Sequence, residues 1–338
     1  MEIIITAPNR IDLAGGTTDL YPLYLLMDGG YTVNVAITLS SRVSFREADG
    51  SAIRIVSEDL KETAEASTPD GLPSDGPLGL IARAVRAVPP ESSLEIMTLN
   101  EAPAGSGLGA SSALLVALLR GLLELRSEKE DPKDLVDLAV NIETNSIGVP
   151  AGKQDHIAAV YGGVSLIDFG YRGFSRRTVS EEDAVVKRLE EMILLSYTGE
   201  GRFSGMNNWE IVKGFIDNAG RIRDNLTRIR DVARLVGRTL LSGEWDDLGP
   251  LVDREWQLRR MLAPGVSTPR TDTIMAAGSA AGALANKICG AGGGGCMLTL
   301  VAPRRRNAVE KALGDAGAEI IPFNVDRDGT VLTCTRRL

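Results

Sequence analysis

The chain is poor in histidine, cysteine and aromatic side chains, and each shortage removes a class of chemistry. Its 338 residues include one histidine, His156. A His-rich zinc site or an HExxH protease helix is therefore excluded. A Ser-His-Asp hydrolase would rest on that one residue, with no GxSxG elbow to carry its serine. The three cysteines, Cys289, Cys296 and Cys334, are odd in number and widely spaced, so they give neither a disulfide framework nor a zinc cage. Reduced, mostly buried thiols are expected. Aromatic residues make up 4 % of the chain, and Trp209, Trp245 and Trp256 are expected to pack rather than form a stacking platform. Basic charge is in deficit: 37 Lys and Arg face 45 Asp and Glu, a net charge of −8. That balance excludes a broad nucleic-acid-binding face. No apolar run reaches the ~20 residues of a membrane span; the longest, residues 113–125, is broken by Arg120 and Glu124. The opening segment has no basic n-region and does not read as a signal peptide, so a cytoplasmic protein without membrane contact is expected.

What remains is ordinary for a globular chain, with 43 % apolar and 24 % charged residues, enough to bury a core without disulfides. The length suggests two domains or one large one. Strands are expected over residues 2–6, 31–37, 42–46, 94–99, 164–169, 192–197 and 297–301, from β-branched enrichment or alternation. Helices are expected over 78–88, 111–125, 132–144, 275–285 and 305–316, with a largely helical stretch at 209–261. The 111–125 helix is apolar nearly all round and should be buried on most sides. Asp131 and Pro132 supply an N-cap and a first-turn proline for the next one. The irregular alternation of strands and helices favours an α+β fold over a doubly wound sheet.

Two glycine loops are candidates for holding phosphate. The first, PAGSGLGASSA from Pro103, lets backbone N–H groups approach an anion and aims a helix dipole at the same place. No Lys-Ser or Lys-Thr closes it, so it is not a Walker loop. Gly105, Gly107 and Ala110 have the spacing of a dinucleotide fingerprint, but Glu124, the acidic residue at the required distance, sits inside a helix where that motif needs a strand. The second, GAGGGG at 290–295, leads into a strand rather than a helix and fails the same test. A glycine run this dense points to close approach, either to a ligand or to a facing domain.

Two acidic residues stand out. Glu143 shares a helix face with Ala139 and Val140, and a carboxylate buried there needs a metal ion or an arginine; a helix-end glutamate turned to solvent is the alternative. Asp155 lies in the turn GVPAGKQDH, where it either caps the following helix or does chemistry.

These segments, in this order, resemble the GHMP kinase superfamily. The likeness rests on APNRIDLAGGTTD from Ala7, PAGSGLGASSA from Pro103 and KICGAGGGGC from Lys287, with AGKQD similar to the galactokinase turn that bears a catalytic aspartate. Within the superfamily, AGGTTDL, AGKQD, YTGEGRFS and GALANKICGAGGGG resemble the bacterial heptose 7-phosphate kinase branch. The resemblance implies a two-lobed fold, with a ribosomal-protein-like N-terminal lobe at 1–185 and a ferredoxin-like C-terminal lobe at 186–338. It implies an ATP- and Mg²⁺-dependent kinase whose acceptor is a hydroxyl, anomeric in the heptose case, of a sugar or sugar phosphate. A non-sugar alcohol such as homoserine or mevalonate, and a catalytically silent sensor on the same fold, are the alternatives. By the same resemblance, Asp155 and Arg10 would be catalytic. Pro103, Gly105, Ser106, Gly107, Leu108, Gly109, Ala110 and Ser111 would wrap ATP. Gly16, Thr17, Thr18, Asp19, Arg202, Gly292 and Gly293 would meet the acceptor, and Ser111 and Glu143 would hold Mg²⁺. Ser112 competes with Ser111 for that role. The small-molecule acceptor is the expected partner; oligomeric state is left open, a homodimer included.

Overall fold

Strand β1 (Glu2–Ala14) runs well past Thr6, because its second half is buried on both faces and the alternation that marks a half-exposed strand stops there. The computed structural model describes residues 2–335 apart from 49, 51, 180–181, 202–204 and 219–220. Helix α1 (Leu23–Leu26) is a single turn. The strands expected at 31–37 and 42–46 form one long strand, β2 (Gly30–Glu47), antiparallel to β1 with register shifts at Pro8/Asn9 and Asp12/Ala14. Strands β3 (Ile53–Ser57) and β4 (Glu62–Ala66) precede helix α2 (Gly79–Ala87) and strand β5 (Leu94–Asn100). The helices α3 (Ala110–Leu125), α4 (Pro132–Ile147) and α5 (Gln154–Tyr161) follow, then the hairpin β6 (Val164–Gly170) and β7 (Gly173–Thr178).

Asp131 caps α4 as its sequence suggests, accepting a hydrogen bond from the Lys133 amide at 2.8 Å. Helix α3 packs on β1 and β2 and against α2, α4 and α5. Leu115, Val116, Leu118, Leu119 and Leu122 are all fully buried, as expected of a helix apolar all round.

Helix α6 (Asp183–Met192) leads into the second lobe, which holds β8 (Ile193–Tyr197), α7 (Gly205–Ile216), α8 (Ile222–Ser242) and α9 (Leu248–Arg259). It continues with α10 (Pro269–Ala281), β9 (Ala283–Ile288), β10 (Cys296–Val301), α11 (Arg306–Asp315) and β11 (Glu319–Ile321). The helix expected at 275–285 begins and ends earlier: Gly282, with φ 103°, stops it, and the residues that follow become β9. The sheet order β11-β8-β10-β9 is all antiparallel, the ferredoxin-like arrangement.

The last strand, β12 (Val331–Thr335), returns to pair with β1. The first sheet therefore reads β12-β1-β2-β5-β3-β4, with β6 on the far part of β2, and the two lobes are not two contiguous stretches of chain. Their cores are continuous as well: Ile11, Val33 and Leu108 share one cluster with Leu195, Val232 and Leu298.

Candidate active site

The period of a strand puts Arg10 and Asp12 on one face of β1 and Ile11 and Leu13 on the other. The apolar pair joins the core. The charged pair faces a cavity of about 410 Å³, whose wall includes Asp19, Gly109, Ser111, Glu143 and Asp155. The volume lies in the range of small-molecule sites.

Asp155 is the second residue of α5, but it caps nothing. The N-cap position is Lys153, without a side-chain cap. The Asp155 carboxylate instead receives a fork from Arg10: Nε donates to Oδ1 at 2.8 Å and Nη2 to Oδ2 at 2.7 Å. Arg10 is 3 % exposed, and its Nη1 donates to the Gly107 carbonyl of the first glycine loop. Burial pushes the Asp155 carboxyl up from its ordinary value, Arg10 and His156 pull against that, and nearby Glu143 adds to the rise. A Cβ at Gly109 would sit 3.1 Å from Asp155 Oδ2. The loop's last glycine is thus in contact with the aspartate.

Gly109 is also the N-cap of α3, with φ 76° and no side-chain cap. A helix start left uncapped beside a cavity offers N–H groups and a positive dipole end to an anion. Ser111 and Ser112, in the first turn, donate to the two oxygens of Glu143 at 2.6 and 2.8 Å. Glu143 is buried, which by itself would raise its carboxyl. The His156 ring, whose Nε2 lies 2.9 Å from Oε2, and the two hydroxyls more than reverse that, holding it at about 2. The solvent-facing alternative for Glu143 is therefore not realised. His156, fully buried, supports that carboxylate, a contact that a lone histidine in the sequence does not announce.

Asp19 is buried in the cavity wall, where the Gln154 backbone amide donates to its Oδ2 at 2.9 Å. Burial raises its carboxyl from 3.8 to about 6, against that hydrogen bond. Gly16 and Thr17 line the same side. Thr18 turns inward, its hydroxyl donating to the Gly15 and Tyr31 carbonyls. Leu108 is core.

The second glycine loop meets the facing lobe. Gly290 and Ala291 line the cavity, but Gly292 and Gly293 do not. The Gly293 amide donates to the Val266 carbonyl at 2.8 Å, and a Cβ at Gly292 would meet that carbonyl at 2.6 Å. Gly295 packs on the Gly105 and Ser106 carbonyls, so the two glycine loops touch backbone to backbone. Arg202 lies outside the described residues. No aromatic side chain lines the cavity among the described residues; its apolar wall is Leu60, Pro77, Leu80, Ile81, Leu114 and Ile147. Trp256 is in a core cluster of the second lobe and Trp209 is 49 % exposed.

Sequence reasoning passed over Asp12, Glu255, Arg259 and Lys287, four fully or almost fully buried charges beneath the side of the cavity lined by Gly16, Thr17 and Asp19. The period-2 relation of Asp12 to Arg10 was a usable signal. The i,i+4 spacing of Glu255 and Arg259 was not, since such pairs usually lie on solvated helix faces.

A catalytic-type carboxylate, an uncapped helix start and an ionised glutamate with two hydroxyls are the parts of a phosphoryl-transfer site, and comparison with known proteins gives the class. Residues 79–163 match the GHMP kinases N-terminal domain and residues 218–319 the GHMP kinases C-terminal domain. The mevalonate kinase of Methanothermobacter thermautotrophicus is 30 % identical over 79 % of this chain and 82 % of its own. The chain belongs to the GHMP kinase family and is a kinase that uses ATP. The D-glycero-alpha-D-manno-heptose 7-phosphate kinase of Campylobacter jejuni is 25 % identical over 95 % of this chain and 96 % of its own. The crystal structure of a D-glycero-D-manno-heptose 1-phosphate kinase from Bacteroides thetaiotaomicron superposes with a TM-score of 0.81 at 26 % identity, covering 99 % of this chain and 100 % of that one. Among the described residues no helix is long and apolar enough to cross a membrane.

Proposed function

We propose that the chain transfers the γ-phosphoryl group of Mg-ATP to a hydroxyl, anomeric in the leading case, of a sugar or sugar phosphate of the heptose 7-phosphate kind. The observation that carries this reading is the Asp155 carboxylate, forked by Arg10, in contact with Gly109 at the start of α3 and in one cavity with Asp19.

In this reading ATP would supply the phosphoryl group, and Mg²⁺, when bound, would offset the charge on its phosphates. The loop from Pro103 to the first turn of α3 would hold the phosphates, through Gly105, Ser106, Gly107, Gly109 and Ala110. The apolar wall would take the base. Ser111 and Glu143, with Ser112 behind, are hard oxygen donors that fit Mg²⁺. Among the described residues no cluster of three or more His, Cys, Asp or Glu offers a metal site by itself. A cation held by one carboxylate and a hydroxyl must complete its shell with phosphate oxygens and water, the usual habit of Mg²⁺.

Asp155 orients the acceptor hydroxyl and takes its proton as the oxygen attacks phosphorus. A carboxylate raised by burial is better suited to that than an ordinary one. Arg10 fixes the base and ties it to Gly107, so the base and the phosphate loop share one frame. Asp19 and Gln154 offer an acceptor and an amide to sugar hydroxyls. Arg202 is retained as a proposed contact to an anionic part of the acceptor.

A mevalonate-type acceptor is the second reading, favoured by the Methanothermobacter relative. In favour of the sugar reading, Asp19 lines the cavity as a hydrogen-bond acceptor of the kind that sugar hydroxyls use. ADP release with Mg-ATP, measured over aldoses, heptose phosphates, homoserine and mevalonate, decides between them. Turnover confined to a sugar or sugar phosphate is expected; turnover of mevalonate or homoserine with no sugar active would remove the sugar reading.

Asp19 makes a second measurable claim. A carboxyl raised to about 6 favours the protonated form in the fold. Its contribution to fold stability therefore grows as pH falls from about 6 toward 3.8. Acceptor binding, which needs the carboxylate, is lost across the same window. Calorimetric acceptor Kd on the wild-type protein without nucleotide is expected to rise by about tenfold per unit below pH 6. A flat Kd from pH 7 to 5 would remove Asp19 from the acceptor site.

A further inference from the structure

Beneath the acceptor side, Asp12 from β1, Glu255 and Arg259 from α9 and Lys287 from β9 form a set of two negative and two positive charges, none more than 1 % exposed. Lys287 Nζ lies 3.2 Å from Asp12 Oδ2 and 3.2 Å from Glu255 Oε1. Arg259 Nη2 lies 3.8 Å from Asp12 Oδ2, and its Nε donates to Glu255 Oε1 at 3.0 Å. Four buried charges are not a cheap way to fill space, because well-packed apolar residues of the same volume are often as stable or more so. What charges give that packing does not is directed hydrogen bonding.

The hydrogen bonds by which this set reaches other residues converge on one short segment. Glu255 Oε1 accepts from the Gly15 amide at 3.2 Å. Arg259 donates from Nη2 to the Gly16 carbonyl at 2.7 Å and from Nη1 to Thr17 Oγ1 at 3.2 Å. Thr17 has φ 75°. A β-branched residue in the left-handed region is a true outlier and persists only where its surroundings over-determine it. Two residues on in that turn, Asp19 is the proposed reader of acceptor hydroxyls, and Gly16 and Thr17 line the cavity beside it. The second lobe thus grips the first lobe's acceptor loop from below.

We infer that Arg259, oriented by Glu255, Lys287 and Asp12, is a positioning residue that holds residues 15–19 in a strained conformation competent for acceptor binding. The inference rests on the acceptor-side reading given under Proposed function. A lysine would keep the charge but lack the fork needed to hold Glu255, Gly16 and Thr17 at once.

The test is Arg259→Lys in the full chain, read first by amide hydrogen exchange, which needs no acceptor. Amides of residues 15–20 are expected to exchange at least about tenfold faster, with those of α3 unchanged. With the sugar that the wild type turns over, acceptor KM is expected to rise about tenfold or more while ATP KM stays within about twofold. Should Arg259→Lys not fold, the charge-balanced pair Arg259→Met with Glu255→Gln keeps the Asp12–Lys287 bridge and is read in the same way. Unchanged exchange at 15–20 would overturn the clamp. Faster exchange there with an unchanged acceptor KM would instead overturn the acceptor-side reading, and the positioning role with it. Equal rises in both KM values would reduce Arg259 to a general structural part and overturn the proposal.

Discussion

Asp155→Asn is expected to lower turnover by on the order of 10²–10⁴ while leaving ATP affinity within about twofold. Asparagine is chosen over alanine for a physical reason. Arg10 is 4 % exposed in its side chain and makes its fork to this carboxylate. Removing the whole partner of a buried ion pair typically costs about 3–5 kcal/mol, because a charge is left without compensation. Asn keeps nearly the same shape and one oxygen to accept from one N–H of the fork; its NH₂ meets the other N–H and the pair's Coulomb energy is lost, so unfolding is measured beside the kinetics. ATP is proposed to sit on the α3 start and the 103–109 loop, which Arg10 still reaches through the Gly107 carbonyl. Steady-state kinetics with nucleotide titration separates the two effects. A variant with turnover within a few-fold of wild type would take Asp155 out of proton transfer and leave only a role in orienting the acceptor. A variant that loses ATP affinity together with turnover would show that the fork organises the phosphate loop rather than the base.

The parts of this site differed in how far the sequence revealed them, and for physical reasons. Helices α3 and α4 were legible because their signals are local: an all-apolar stretch after a glycine loop, and Asp-Pro at a start. The strand half of β1 from Ala7 onward was not, since burial on both faces erases the alternation by which strands are read, and a segment such as Asn-Arg-Ile-Asp looks like a surface. Asp155 was ambiguous from spacing alone, as a helix cap and a chemically active carboxylate share the same turn; what excludes the cap is the fork from Arg10, 145 residues away. Glu143 read equally as a buried carboxylate or as a helix-end residue turned to solvent, because the partners that hold it inside, Ser111, Ser112 and His156, come from two other helices. The return of β12 to β1 follows from no local signal at all, because edge pairing is settled by which edge is open once the rest has folded. The four-charge set behind the acceptor loop is the extreme case. Glu255, Arg259 and Lys287 read as ordinary surface residues, Asp12 is marked only by its period-2 relation to Arg10, and the meeting of both lobes buries all four together.

Gly107→Ala against Gly148→Ala separates what the glycine loops do for the fold from what glycine does for any turn. The two residues have nearly the same backbone, with φ 72° and 69°, so each substitution carries the same left-handed penalty of about 1 kcal/mol. Their surroundings differ. A Cβ at Gly148 meets nothing within 4 Å, whereas one at Gly107 would lie 2.5 Å from the Cys289 carbonyl oxygen, on the edge of the second glycine loop. That contact is backbone against backbone across the two lobes, and no rotamer change relieves it. Either the lobes part or the loop shifts. Gly107→Ala is therefore expected to lose about 2–4 kcal/mol in denaturant unfolding, the sum of the conformational penalty and an overpacking term, against about 1 kcal/mol for Gly148→Ala. The larger effect should be functional as well: Arg10 bonds the Gly107 carbonyl, so a shifted loop disturbs the base and the phosphate cradle at once, raising ATP KM and lowering turnover together. Equal stability losses in the two variants would mean that the lobes yield freely at this contact. The dense glycine run at 290–295 would then be explained by something other than the close backbone approach of the facing loop.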